Sequence, residues 1–293
     1  MLEPIKRGMG AAQAGLLTNA ALALAKLAAG ILGHSYALVA DAIESTADVF
    51  SSLTVWGGLR ISSRSPDEDY PFGYGKAEPL AAAVVSLMLL GAAIIIAVQA
   101  AGEIVTPHHL PAKFTLAVLV GVVVVKEVLF RKVFAVGVQV GSTAVKADAW
   151  HHRSDAITSA AAFVGISIAV VGGPGWEPAD DWAALAAAGI IFFNGLRILR
   201  PAVGDLMDHA PDSVLLKQIA SAATSTAGVR AIEKLKVRKA GMGYLVDLHV
   251  QADPGISLQE AHILSGKVKS AVRQAVPSVQ GAIIHMEPYA EVK

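Results

Sequence analysis

The fold class this sequence predicts is an α-helical membrane domain of six transmembrane helices, followed by a small α+β soluble domain at the C-terminus. Three observations predict it. Of its 293 residues, 54% are hydrophobic and only 16% are charged, whereas average soluble domains carry about 25% charged residues. Apolar runs long enough to cross a bilayer recur up to Pro201. Beyond Pro201, alternation and charge replace those runs.

A bilayer-crossing helix needs about 20 mostly apolar residues. Residues 80–101 and 182–200 meet this directly, and residues 10–33 qualify with Asn19 and Lys26 inside them. Residues 114–136 begin with a valine-rich run and turn charged at Lys126, Glu127, Arg131 and Lys132. That charged half is expected to project beyond the hydrocarbon. Residues 36–60 and 141–172 are helical in pattern but carry acids and a histidine in their interiors. Counting them gives six spans with both ends on one side.

On that side lie Lys6, Arg7, Arg60, Arg64, Lys76, Arg131, Lys132, Arg197 and Arg200, while the opposite loops (33–36, 102–113 and 173–181) offer only Lys113. The positive-inside rule then puts both termini in the cytoplasm of a multi-pass cell-membrane protein. The start of the chain lacks a signal-peptide layout with a small-residue cleavage site, so the first apolar segment is read as retained.

The tail reads as a helix over 211–225, a strand over 228–238, a turn at Gly241–Gly243 and a strand over 244–252. A helix over 256–275 and a strand over 278–288 follow. The order αββαβ suggests a small two-layer α+β domain, with the boundary placed between residues 207 and 208. So small a core gains from pairing with a second copy.

Composition also narrows the function. There is no cysteine, which removes thiolate metal sites and disulfides. The formal net charge is zero, so nothing points to nucleic acid. No His-Glu-x-x-His motif occurs, Gly172–Gly175 lacks the strand–loop–helix setting of a phosphate cradle, and Ser154 has no orienting partner for nucleophilic work. An enzyme is not expected. His108 and His109 read as an exposed loop pair.

The chemistry concentrates in two spans. One carries Asp41, Glu44 and Asp48, and the other carries Asp148, His151 and Asp155, with "ADAIESTAD" echoed by "ADAWHHRSD". An acid at the centre of a membrane helix costs at least about 2.5–3.5 kcal/mol, so its presence needs a reason. Steps of three and four place these residues on one helical face. Facing each other, the two helices could present Glu44, Asp48, His151 and Asp155 around one point, with Asp41 and Asp148 as secondary candidates. A lone acid would more often be structural, paired with Lys26 or Arg153. Two matching pairs in separate spans favour a site.

One imidazole and three carboxylates suit Zn²⁺ first, then Fe²⁺ or Mn²⁺, and also Co²⁺ or Cd²⁺. Protons could replace the dication when it leaves, which is the physical basis of metal/proton antiport. His152 points about 100° away from His151 and is expected to be a spectator.

These spans resemble the second and fifth spans of the cation diffusion facilitator family. Supporting strings are Ser35-Tyr-Ala-Leu-Val-Ala-Asp41-Ala, Phe72-Gly-Tyr-Gly-Lys76-Ala-Glu78, Asp247-Leu-His249-Val, Glu260-Ala-His262 and Ile284-His285-Met-Glu287-Pro288. The resemblance covers nearly the whole chain. It implies a homodimer in the lipid bilayer that exports cytoplasmic divalent metal in exchange for protons by alternating access. It maps the transport site onto Glu44, Asp48, His151 and Asp155, where Glu44 departs from the Asp or His of zinc- and iron-handling members.

A second metal position found in some members falls on Asp67, Tyr70 and Tyr74, and is expected to be absent. The resemblance also implies a metallochaperone-like tail that binds metal, whose ligands by position would be Glu233, His249, His285 and Glu287, with His262 nearby. Lys76 and Asp208 match a pair that clasps the family's dimer. The alternative is a membrane-anchored metal sensor or scaffold acting through the tail.

Overall fold

The computed structural model describes residues 2–32, 36–105, 115–172, 175–176 and 179–290. Six long helices come first: α1 (Leu2–Leu32), α2 (Tyr36–Ser62), α3 (Ala77–Val105), α4 (Thr115–Val140), α5 (Thr143–Gly172) and α6 (Ala179–Leu206). The tail follows as α7 (Ser213–Thr224), β1 (Ala231–Ala240), β2 (Gly243–Ala252), α8 (Leu258–Ala275) and β3 (Val279–Pro288), in the expected αββαβ order. The side chains of Asp41, Glu44, Asp48 and Lys26 lie outside the described residues, as do His108, His109 and Lys113.

The chain divides into two compact units, Met1–Val203 and Gly204–Lys293. The division falls a few residues before the boundary expected from sequence. The last turn of α6 is tied to β1, with Asp205 accepting from Lys239 at 2.8 Å.

In the first unit, α1 buries Gly8, Ala12, Gly15 and Asn19. These residues recur every three or four positions, and such small residues let helix backbones approach closely. The facing helix α2 buries Ser51, Ser52, Val55 and Leu59. Large apolar side chains point outward instead, among them Leu17, Leu24, Leu87, Ile95, Val98 and Phe193. Polar groups inside and apolar groups outside is the arrangement a lipid surround favours. Among the described residues, Ala77–Gly102, with hydropathy 2.7, is the one helix long and apolar enough to cross a membrane by that measure alone.

The α4–α5 connection aims the acid-rich helix. Gly141 takes φ 70°, a left-handed conformation that ends α4 and that side chains disfavour. Ser142 then caps α5, its hydroxyl accepting from the Val145 amide at 3.1 Å. Glu78, buried on the first turn of α3, accepts from the Ser142 hydroxyl at 2.7 Å and from the Ala144 amide at 2.9 Å. A carboxylate there satisfies orphan amides and complements the helix dipole.

Lys126 overturns an expectation. Rather than projecting outward it is 1% exposed, because its helical phase matches the buried Val122, Leu129 and Val133.

In the second unit, β1 and β2 form an antiparallel pair, and β2 and β3 pair in parallel through the α8 crossover, giving the order β1-β2-β3. Alternation along the strands sends Val246, Leu248 and Val250 to one face. There they pack with Ile219 of α7 and with Leu264, Val268 and Val272 of α8. A capping box between Ser257 and Glu260 starts α8. The opposite face carries Asp247 and His249 from β2 and His285 and Glu287 from β3.

Candidate metal centre

Within the helical unit, α5 carries Asp148, His151, His152 and Asp155 on consecutive turns. The first three are buried, at 0%, 6% and 0% exposure. Asp155 Oδ2 accepts from Lys126 Nζ at 2.8 Å, and the same ammonium donates to Asn19 Oδ1 at 2.9 Å. Asn19 Nδ2 reaches Ser52 Oγ at 3.4 Å, and Ser52 Oγ donates to Asp148 Oδ1 at 3.1 Å. A polar track thus runs from Asp155 on α5 through α4, α1 and α2 and back to Asp148.

His152 Nε2 stands 3.6 Å from Asp148 Oδ2, too far for a good hydrogen bond. A Cβ on Gly15 would lie 3.0 Å from His152 Nε2 and 3.3 Å from Ser52 Oγ, so any side chain there requires the cluster to shift.

Arg153 is turned elsewhere. It stacks on Phe130 at 4.5 Å and lies 3.9 Å from Glu127. The structural partner that sequence suggested for these acids is therefore occupied, and Lys126 takes the role with Asp155.

In the loop before α3, Asp67 accepts from the Tyr70 amide at 2.8 Å and the Tyr74 hydroxyl at 2.6 Å. The Tyr74 bond, followed by the Tyr70 amide, holds the Asp67 carboxyl below its ordinary value.

In the tail, His249 and His285 sit directly opposite each other in the β2–β3 register. Their ring centroids are 4.8 Å apart. Glu287 Oε1 lies 2.7 Å from His249 Nδ1 and 3.5 Å from His285 Nε2. The three ligand atoms fall within 4.8 Å of one another. Tetrahedral zinc ligands stand about 3.4 Å apart, so a modest side-chain adjustment would close the set on an ion.

The register of β1 shifts between Ile232 and Lys234, which makes Glu233 a bulge residue. Bulges re-aim side chains, and this one brings Glu233 to Glu287. The Glu287 carboxyl, hydrogen-bonded to it, and then the Lys234 ammonium hold the Glu233 carboxyl below its ordinary value. His262 does not join the group. It is exposed on α8, which packs on the opposite face of the sheet. Asp208 accepts from Arg238 of its own chain at 3.1 Å, and Lys76 belongs to the other compact unit.

The family model described as the cation efflux transmembrane domain matches residues 12–207, and that of the cation efflux protein cytoplasmic domain matches residues 211–289. The chain belongs to the cation diffusion facilitator family. It is a multi-pass membrane protein from a family of metal-efflux transporters.

This cation diffusion facilitator is 30% identical to the manganese efflux system protein MneP of Bacillus subtilis over 280 residues, 94% of each chain. It is 33% identical to the magnetosome protein MamB of Magnetospirillum gryphiswaldense, covering 88% of this chain and 86% of that one. It is 30% identical to the cation-efflux pump FieF of Klebsiella pneumoniae, covering 96% and 93%.

Sequence reasoning missed Lys126, Asn19, Ser52 and Glu78 as members or supports of the buried acid cluster. It also set His152 aside, although that ring is 0% exposed. The signal for Lys126 was its helical phase. Glu78 stands in the Phe72–Glu78 string, but its partners, more than sixty residues away, left no mark in the sequence.

Proposed function

We propose that this transporter exports a divalent transition metal from the cytoplasm in exchange for protons by alternating access, with Glu44, Asp48, His151 and Asp155 holding the ion in transit. The observation that carries the reading is on α5. His151 and Asp155 lie one turn apart in a buried stretch, and the Asp155 carboxylate already engages a cation, Lys126 Nζ, at 2.8 Å. A carboxylate that binds an ammonium in an apolar surround has the charge and desolvation to bind a dication.

Zinc heads the expected order because an imidazole joins the carboxylates. Manganese comes next, since MneP is a manganese efflux protein by name, and iron follows. The protein acts as a homodimer with both termini in the cytoplasm, and Lys76 and Asp208 meet between protomers. His249, His285 and Glu287, with Glu233 beside them, bind regulatory metal in the tail. Metal there shifts the population toward the transport-competent dimer to the extent that it binds that arrangement better.

The test is flux of Zn²⁺, Mn²⁺ and Fe²⁺, each measured separately, into proteoliposomes under an imposed pH gradient, with Asp155→Ala as comparison. Proton-driven flux of one metal that the substitution abolishes supports the proposal. Flux that survives Asp155→Ala, or none from wild type while the tail still binds metal, rejects it in favour of a metal sensor.

A further inference from the structure

The acid-rich helix has a buried cation beside it that the proposed ligand set does not use. Lys126 is 1% exposed. A buried ammonium in a membrane helix is costly and calls for a functional explanation.

We infer that Lys126 is a tethered competitor for the transport site: its ammonium occupies the Asp155 carboxylate and has to be displaced each time a divalent ion binds there. The inference rests on Asp155 being a transport ligand, as proposed above.

Geometry makes the two cations exclusive. A divalent ion lies about 2.0–2.2 Å from a ligating carboxylate oxygen. Bound to Oδ2, it would stand within about 5 Å of Nζ, since that ammonium is only 2.8 Å from the same oxygen. A dication and an ammonium so close in a low-dielectric interior repel strongly. Using Oδ1 of the same carboxylate brings little relief.

The structure also supplies somewhere for the ammonium to go. Lys126 has a flexible four-carbon stem, and Asn19 Oδ1 already holds Nζ from another side at 2.9 Å. Behind Asn19, Ser52 leads to the carboxylate of Asp148. A displaced ammonium thus keeps one neutral acceptor and moves toward a second negative charge.

This arrangement has two consequences. Asp155, which is half-buried, is never left as an uncompensated charge, and metal affinity is held low enough for the ion to be released. A purely structural ion pair predicts the opposite sign, because losing one partner of a buried pair strands the other.

Zn²⁺ and Mn²⁺ titrations of the purified full chain decide between the two. They are made with His249→Ala and His285→Ala present, so that the tail does not contribute. Lys126→Met should tighten Kd by at least about tenfold. Lys126→Arg, which keeps the charge, should stay within about threefold of the parent. Unchanged or weaker binding by Lys126→Met overturns the inference.

If Asp155→Ala binds as tightly as its parent, the transport-site reading itself falls, and this inference with it. If Asp155→Ala loses binding while Lys126→Met does not tighten it, only the role of Lys126 is lost. Should Lys126→Met fail to fold, the wild-type chain decides: saturating Zn²⁺ should raise reductive methylation of Lys126, read by mass spectrometry. No rise overturns the inference.

Discussion

Glu78 accepts a hydrogen bond from the Ser142 hydroxyl at 2.7 Å, across sixty-four residues of sequence and in full burial. With the Ala144 amide on the same oxygen at 2.9 Å, one carboxylate on α3 fixes the N-terminus of α5. Everything proposed for α5 depends on that end being held. Replacing Glu78 with Ala leaves two buried donors unsatisfied, at about 1–3 kcal/mol each. The expected outcome is a melting temperature lowered by several degrees and a weaker metal Kd. Glu78→Gln, which keeps an acceptor, should do less. Unchanged melting and Kd in Glu78→Ala would remove the case for α3 as the anchor.

Gly15 predicts a graded steric series. Ala there puts a Cβ 3.0 Å from His152 Nε2, a clash that the ring can relieve by a small shift. Val adds two methyl groups into the same space and has no such remedy. Overpacking of this kind costs about 1–3 kcal/mol. Flux should fall modestly in Gly15→Ala and steeply in Gly15→Val, with Tm following the same order. Equal effects of the two would mean that α1 slides away and the close approach is not required.

How much of this was legible in sequence follows from the range of each interaction. Helical and strand periods are local, so the six long helices and the αββαβ tail could be read directly. The repeated acid layout could be read too, because i, i+3 and i, i+4 spacing needs no tertiary knowledge. Lys126 was misjudged because a charge at the end of a valine run resembles the end of a span. Its phase with Val122, Leu129 and Val133 carried the correct answer. The pairing of His249 with His285 depends on a parallel register set by a crossover helix, and the aim of Glu233 depends on a bulge. Neither leaves a mark at the level of residue types.

Metal binding by the tail should depend on the three converging residues and not on His262. In an Asp155→Ala background, which isolates the tail, His285→Ala or Glu287→Ala removes one of three close ligand atoms. Zn²⁺ affinity should drop at least about tenfold, while His262→Ala leaves it within error. A strong effect of His262→Ala in calorimetric titration would mean that the tail uses a different ligand set.

Glu233 gives a pH prediction with a definite sign. Its carboxyl is held below the ordinary 4.5, first by Glu287 and then by Lys234. A depressed carboxyl contributes stability that is fully present above the unfolded-state value and is lost as pH falls through the folded-state value. The Glu233 side chain, followed by NMR in the full chain, should therefore titrate below 4.5. Glu287→Ala, which removes the donor to Glu233, should move the midpoint up further than Lys234→Ala does. A larger response to Lys234→Ala would assign the shift to the lysine beside Glu233 and loosen the link between the bulge and the metal cluster.

The adjacent histidines of α5 should separate by function. Their rings are 6.3 Å apart, and successive helical positions diverge by about 100°, so one ion cannot engage both without distortion. His151 shares its face with Asp155, one turn on, whereas His152 faces Asp148, Ser52 and Gly15. His151→Ala should abolish metal flux and weaken Kd, an effect much larger than its lowering of Tm. His152→Ala should do the reverse, opening a buried void that costs about 1–3 kcal/mol and lowers Tm, while Kd stays within about threefold of wild type. If His152→Ala instead removes binding and His151→Ala spares it, the ion sits on the Asp148 side of α5, and the ligand set has to be redrawn around Asp148 and Ser52.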